Sequence, residues 1–380
     1  MEKTETIALQ LKSRNYGIDL LRLLSMLMVV TLHVLGQGGI LSSITNFTVK
    51  GELLWAVEIV CYGAVNIYAI ISGFVGNKPK HKYSNLISLC LQLTFYAIII
   101  TSIEVILLSI YGYDISIKQI ALHLLPSVKR YWYFSSYFCL FFFMPILNEI
   151  VNKVSRKTLK IAGAFIFLVF ICWTQISSEV ACLNKGYSVL WLAILYVVGA
   201  YIAKYDPFEK WSAKKCFLAY LLFVLLTIAS RIGIGLITAE LLGSASWYNV
   251  FVEYTSPTIV LSSIFLVCGF SKLQIGIKLS KVISFLVPMS FGVYLIHCHP
   301  FVYAEMGGLF SWVAKQNAIL AVIEAIGIAL AIFIVCLFID WLRLLLFKAV
   351  RARKISEWIE KTIAKLIKWA LKPFKINFEE

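Results

Sequence analysis

The sequence predicts an all-α fold, a polytopic transmembrane bundle of about ten helices with a C-terminal basic amphipathic helix. Three observations predict it. Of 380 residues, 60% are hydrophobic and 14% charged, against roughly 45–50% and 25% in soluble domains. Apolar runs recur at about twenty residues, the length that crosses a hydrocarbon core. The basic residues gather in alternate connecting segments, as they do when those segments share the cytoplasmic side. A chain this apolar cannot clothe itself in polar surface, so lipid is its solvent.

Each span follows from an apolar run and the segments that flank it. Residues 1–16 form a polar cytoplasmic segment with Lys12 and Arg14, and the first span lies near 17–36. Lys50 is the basic residue of the next connection, which leads to a span near 53–75. Lys78, Lys80 and Lys82 then mark an inner loop before the span near 84–110. Lys118, Lys129 and Arg130 are the scattered charges of an outer loop before the span near 131–150. Lys153, Arg156, Lys157 and Lys160 turn the chain back inside for the span near 159–177. Lys185 precedes the span near 187–203, and Lys204, Lys210, Lys214 and Lys215 separate it from the span near 215–237. The span near 250–270 is followed by Lys272, Lys278 and Lys281, then by a span near 282–304. Lys315 precedes the last and longest run, near 318–346, which is long enough to tilt or to project. Both ends therefore belong on the cytoplasmic side. The net charge of +15 is accounted for by this topology, without nucleic-acid binding.

Residues 348–380 form a cytoplasmic tail. Ile355, Trp358, Ile359, Ile363, Leu366 and Ile367 recur at helical spacing with Lys and Arg between them, the pattern of a basic helix lying on an anionic leaflet. The nine cysteines are scattered through apolar runs without a CxxC pair, which describes small buried hydrophobes rather than a disulfide framework. No cleavable signal peptide is expected, because the first run carries Arg22 and His33 and has no small-residue cleavage site behind it.

Ionisable groups inside a bilayer are expensive and mark candidate sites. Arg22 and His33 lie eleven residues apart on the first span. At ~100° per residue they share one helix face within about 20°, at depths ~16 Å apart. Asp19, three residues before Arg22, is placed to pair with it. Glu58, Arg231, Glu253, His297, His299 and Glu324 fall in the outer half by the same counting. Two pictures fit them: a polar cavity with His33 near its floor, or groups that mark the interface. In the second picture Arg22 snorkels and His33 is an interhelical hydrogen-bonder. A metal site is not expected, because His297 and His299 are two residues apart on different faces and no HExxH spacing occurs. Phosphate loops and a GxSxG nucleophile elbow are absent as well.

Four motifs in order carry a resemblance. They are Arg22 with His33 after ten intervening residues, and Ile71-Ser72-Gly73-Phe74 closing the second span. Tyr131-Trp132-Tyr133-Phe134 with Met144-Pro145-Ile146-Leu147-Asn148 occupies the fourth span, and Phe291-Gly292-Val293-Tyr294-Leu295-Ile296-His297 the ninth. Together they resemble the bacterial membrane acyltransferase-3 family over residues 14 to about 300, which makes 17–347 the acyltransferase domain. The resemblance implies O-acylation of a capsular, exopolysaccharide or other envelope glycan, usually from acetyl-CoA, by a multi-pass protein of the bacterial cytoplasmic membrane. Acetyl-CoA would be a donor substrate; no bound cofactor is expected.

One departure stands out. Where the family often carries a spaced Arg pair after Ser-Gly-Phe, this chain has Lys78, Lys80, His81 and Lys82, which keep the charge but lose bidentate geometry. An extracellular hydrolase domain, fused in some members, is not in this sequence; either the chain completes transfer alone or a separate partner does. The chemistry then assigns His33 as general base, because imidazole titrates near neutrality. Arg22 would hold the donor, with Ser72 and the lysines beside it, and His297 is a second acid–base candidate. Trp132, Tyr133, Glu58 and Tyr294 are candidates for acceptor binding. A transporter or glycan-precursor flippase is the alternative, although no matched pair of broken helices in the two halves points to it. A receptor-like scaffold would not need Arg22 and His33.

Overall fold

The computed structural model describes residues 14–77, 81–114, 116–124, 131–175 and 182–371. Every regular element among them is helical. Helix α1 spans Tyr16–Leu35. Asn15 caps it by accepting from the Ile18 amide at 3.0 Å, and Asp19 in its first turn suits the positive end of the helix dipole.

The second predicted span is two helices, α2 (Val49–Tyr62) and α3 (Ala64–Gly76), broken at Gly63. Next come α4 (Tyr83–Ile110), the short surface helix α5 (Ile117–Leu124) and α6 (Trp132–Lys153). The fifth predicted span is regular only over α7 (Arg156–Ile166), after which the chain loosens into a π-helical turn, Phe167–Cys172. Helices α8 (Val189–Tyr205) and α9 (Ala213–Leu242) follow. The eighth span starts later than its hydropathy suggests. Pro257 opens α10 (Pro257–Ser271), a first-turn position where its missing N–H costs nothing.

The ninth span is segmented. Helix α11 (Ile277–Leu286) passes through a 3₁₀ turn at Val287–Met289 into α12 (Ser290–His297), and Pro300 starts a separate short helix, α13 (Pro300–Glu305). Helices α14 (Ala318–Ala349) and α15 (Ala352–Leu371) complete the chain. Seven stretches of the described residues are long and apolar enough to cross a membrane, with α8 and α10 as shorter apolar helices. The 32 residues of α14 extend about 48 Å, well beyond a hydrocarbon core.

Helix α1 stands at the centre, packed by α2, α3, α10, α11, α12 and α14. It sends Leu23, Met26 and Val30 into one apolar cluster, shared with α4, α12 and α14. Ile18 and Leu21 enter a second cluster, shared with α3, α6, α8 and α10. The outer faces stay apolar: Ile99 and Ile103 on α4, Leu221 and Leu225 on α9, Ile323 and Ile334 on α14 are all exposed. Water would not tolerate such a belt; acyl chains cover it.

Two motif glycines exist for close helix contact. Gly73 of α3 packs so tightly on α8 that an added Cβ would stand 1.8 Å from the Tyr196 carbonyl oxygen, and at Gly199 one would stand 1.9 Å from that of Ile70. Small residues at such contacts are how helices associate where no hydrophobic drive exists between them. Gly292 plays the same part on α12, where a Cβ would meet the Asp340 carboxylate. Asp340 is held by Arg343 and by the Tyr96 hydroxyl at 2.7 Å.

Arg231 is removed from the candidate cavity group by its surroundings. Its guanidinium is wholly buried, ion-paired to Glu52, donates to Asn46 at 2.8 Å and Asn249 at 3.1 Å, and lies over Trp55. A buried charge so fully satisfied is a fastener between α2 and α9. Glu253 likewise pairs with Lys185 at 2.7 Å.

Candidate active site

A cavity of about 600 Å³ runs beside α1. Arg22, Ser72, His81 and Lys82 line one end of it, and His33, Trp132 and Tyr254 the other. Tyr133 and Tyr294 face it between them. The eleven-residue interval on α1 thus spans the chamber, as the helix geometry requires.

Arg22 keeps its place through Asp19, whose Oδ1 accepts from Nη1 at 3.3 Å. The pairing foreseen from the i,i+3 spacing is present, with an addition: Arg14 reaches the same carboxylate. The Arg22 backbone carbonyl accepts from the Tyr68 hydroxyl at 2.7 Å, and Ser72 donates to the Tyr68 carbonyl at 2.8 Å. The Ser-Gly-Phe motif therefore couples to the first span. Gly73 seats α3 on α8 while Ser72, on another face, borders the cavity. Asn148 of the fourth-span motif ties the same region together, donating to the Gly76 carbonyl at 3.0 Å and accepting from the Tyr196 hydroxyl at 2.9 Å.

At the other end His33 Nδ1 lies 3.0 Å from His297 Nε2. His297 Nδ1 contacts the Val293 carbonyl oxygen one turn back on α12. A carbonyl only accepts, so His297 Nδ1 carries the proton and its Nε2 is an acceptor when the ring is neutral. His33 must then donate from Nδ1, which leaves the lone pair on its Nε2. One backbone carbonyl sets the tautomers of both rings. This is the arrangement in which a histidine base is oriented by a second group. His297 stands behind His33 rather than in the lining.

Cys298 Sγ lies 3.4 Å from His297 Nε2 and 3.7 Å from His33 Nδ1. The donor atoms of the three side chains fall within 4.8 Å of one another, a set that would also suit a soft divalent cation. The spacing of His297 and His299 speaks against a metal, but this set combines His33 with His297 and Cys298 and leaves His299 out. The two uses of the cluster separate on chelation. If the rings share a proton, transfer is expected to survive dialysis against a strong chelator; loss of activity restored by zinc would show a metal instead. His297→Asn, which removes the acceptor opposite His33 Nδ1, is expected to lower kcat by about a hundredfold, measured at saturating donor and acceptor.

The aromatic wall comes from α6 and the segment before α10. Trp132 stacks on Tyr254 with ring centroids 6.3 Å apart and meets Tyr187 at 4.5 Å. Glu58 is placed differently from the other acceptor-binding candidates. Its carboxyl is buried outside the lining, with Oε2 lacking a hydrogen-bond partner. His299 also turns away, its Nδ1 accepting from the Phe301 amide at 3.3 Å. Lys78 and Lys80 lie outside the described residues. Sequence reasoning did not single out Tyr68, Tyr254, Ser290, Cys298 or Arg353, all within or beside the site. The one local signal was the adjacency of Cys298 to His297.

A family model described as an acyltransferase domain matches residues 15–341. No curated protein and no solved structure matches the chain. The matched span opens one residue before α1 and closes one residue after Asp340. It encloses Arg22, His33, His297 and the aromatic wall, and with it the chain belongs to the acyltransferase-3 family of multi-pass membrane acyltransferases.

Proposed function

We propose that the protein moves an acyl group, most simply acetyl, from a cytosolic acyl-CoA to a hydroxyl of an extracytoplasmic or lipid-linked carbohydrate. The observation that carries this reading is that one cavity joins the Arg22 end of α1 to the His33–His297 pair. In the proposed topology both termini lie on the cytoplasmic side, so the Arg22 end opens to the donor and the His33 end to the acceptor. The acyl arm then has only the length of the chamber to cross.

In the proposed reaction the acceptor hydroxyl gives its proton to His33 Nε2 as its oxygen attacks the thioester carbonyl. The C–O bond forms, the C–S bond breaks, and the proton passes to the departing thiolate. His297 holds the His33 ring and shares the positive charge that develops on it. Arg22 orients the donor through charge-assisted hydrogen bonds to its pantetheine carbonyl or phosphate oxygens. Trp132 and Tyr254 offer apolar ring faces to a sugar. Membranes containing the chain, given acetyl-labelled acetyl-CoA and a panel of envelope glycans, should transfer label to one acceptor class. Label retained wholly in the donor with every acceptor would sink the reading.

A further inference from the structure

We propose that the C-terminal helix α15 is part of the donor site, and that Arg353 completes a phosphate-binding mouth with Lys82 and Arg22. This deepens the acyl-CoA reading above and rests on it. Arg353 lies beyond the matched acyltransferase domain, which ends at residue 341, yet it lines the same cavity as His33. The sequence assigned this helix to the membrane surface, and part of it still belongs there: Trp358, Leu366, Ile367 and Trp369 are exposed. Its other face packs on α4. Buried Ser356 meets Ser88 at 2.9 Å, and Arg353 Nη1 donates to Asn85 Oδ1 at 2.9 Å. Asn85 and Ser88 line the cavity too.

The charge pattern names the ligand class. Arg22, Lys82 and Arg353 line the cavity together with His81 and His33, and no carboxylate does so among the described residues. Water-filled space bordered by cations of one sign concentrates anions. The carboxylates stand behind the cations instead, Asp19 behind Arg22 and Glu357 behind Arg353 at 3.0 Å. A guanidinium has five N–H groups; Arg353 Nε donates to Glu357 and Nη1 to Asn85, which leaves Nη2, without a partner among the described residues, to meet a phosphate oxygen. A donor with several phosphates at one end and a long neutral arm matches a cavity that is basic at its mouth and aromatic further in.

The test uses the full chain in phosphatidylcholine nanodiscs, with acetyl-CoA and with acetyl-pantetheine, which lacks the nucleotide phosphates. Arg353→Gln is expected to raise the KM for acetyl-CoA about tenfold and that for acetyl-pantetheine far less, with Arg353→Lys in between. Glu357→Gln, which frees the guanidinium from its competing carboxylate, is expected to lower the KM for acetyl-CoA. A helix that merely clamps α4 predicts the opposite sign for Glu357→Gln and equal effects on both donors; either result overturns the inference. Adding phosphatidylglycerol separates a lipid phosphate from a donor phosphate, because a defect confined to the anionic discs would assign Arg353 to lipid and overturn it also. A wild-type chain that uses acetyl-CoA but shows no KM change in Arg353→Gln overturns this inference alone. Failure of the wild type to use any acyl-CoA removes the donor reading beneath it.

Discussion

Replacing His33 with Ala is expected to reduce acyl transfer by about a thousandfold, the range of a lost general base, while insertion and yield stay as in the wild type. The position predicts this separation of chemistry from folding. His33 is half-buried on α1, and its ring borders a cavity instead of filling a core. Truncation therefore opens more space in a chamber that is already open, and the cavity penalty of a core deletion does not arise. The neighbouring His297 keeps its contact with the Val293 carbonyl, so it is not left without a hydrogen bond. Transfer measured with labelled acetyl-CoA, alongside detergent-resistant monodispersity, checks both halves. An active His33→Ala protein would remove the base from the proposed reaction. His33→Gln sharpens the result, since an amide can still donate to His297 Nε2 but cannot take a proton at neutral pH.

Arg22 carries the second large effect. Arg22→Ala is expected to lower kcat/KM for the donor by about a hundredfold, as when one member of a hydrogen-bonded charge pair is lost from a partly desolvated site. The guanidinium is about a quarter exposed, its partner Asp19 nearly buried. Removing Arg22 leaves Asp19 with Arg14 still beside it, so the carboxylate is not stranded and the helix start should survive. Arg22→Lys discriminates between charge and shape. A lysine retains attraction for phosphate but not the two-pronged grip, and is expected to recover only part of the loss. Donor titration at fixed acceptor reads the effect, and an unaltered donor dependence in Arg22→Ala would assign the residue to snorkelling at the interface.

Both predictions concern one helix, and that helix was the most legible part of the sequence. Hydropathy placed α1, α4, α6, α9 and α14 close to their observed bounds, because each is a long uninterrupted apolar run; α4, α6, α9 and α14 turn most of their surface outward, while α1 is apolar because other helices surround it. Where the helix is short or interrupted, the reading blurred. Gly63 breaks the second span and Val287–Met289 the ninth, and neither break lowers the mean apolarity of its window. The seven residues before Pro257 look like membrane span by composition but fold as turns, tied down by contacts such as that of the Tyr254 carbonyl with Asn66 at 2.8 Å. Depth alone gathers the outer-half charges into one group. Depth cannot say which way a side chain turns, and Arg231 turned towards Glu52 and three aromatic rings instead of towards His33.

By itself the sequence determined that this chain lives in a bilayer, how many times its apolar runs recur, and that Arg22 and His33 share a face at two depths. Those properties are sums over twenty consecutive residues or a rotation along one helix, so they need no knowledge of neighbours. Only the tertiary structure decided that His33 meets His297 across 264 residues of chain, and that the Val293 carbonyl sets the tautomers of both. It alone brought Arg353 from the tail to the mouth of the same cavity. Such pairings depend on which helices touch. In lipid that choice rests on shape, on glycines such as Gly73 and Gly292 that let backbones close up, and not on the hydropathy that wrote the spans.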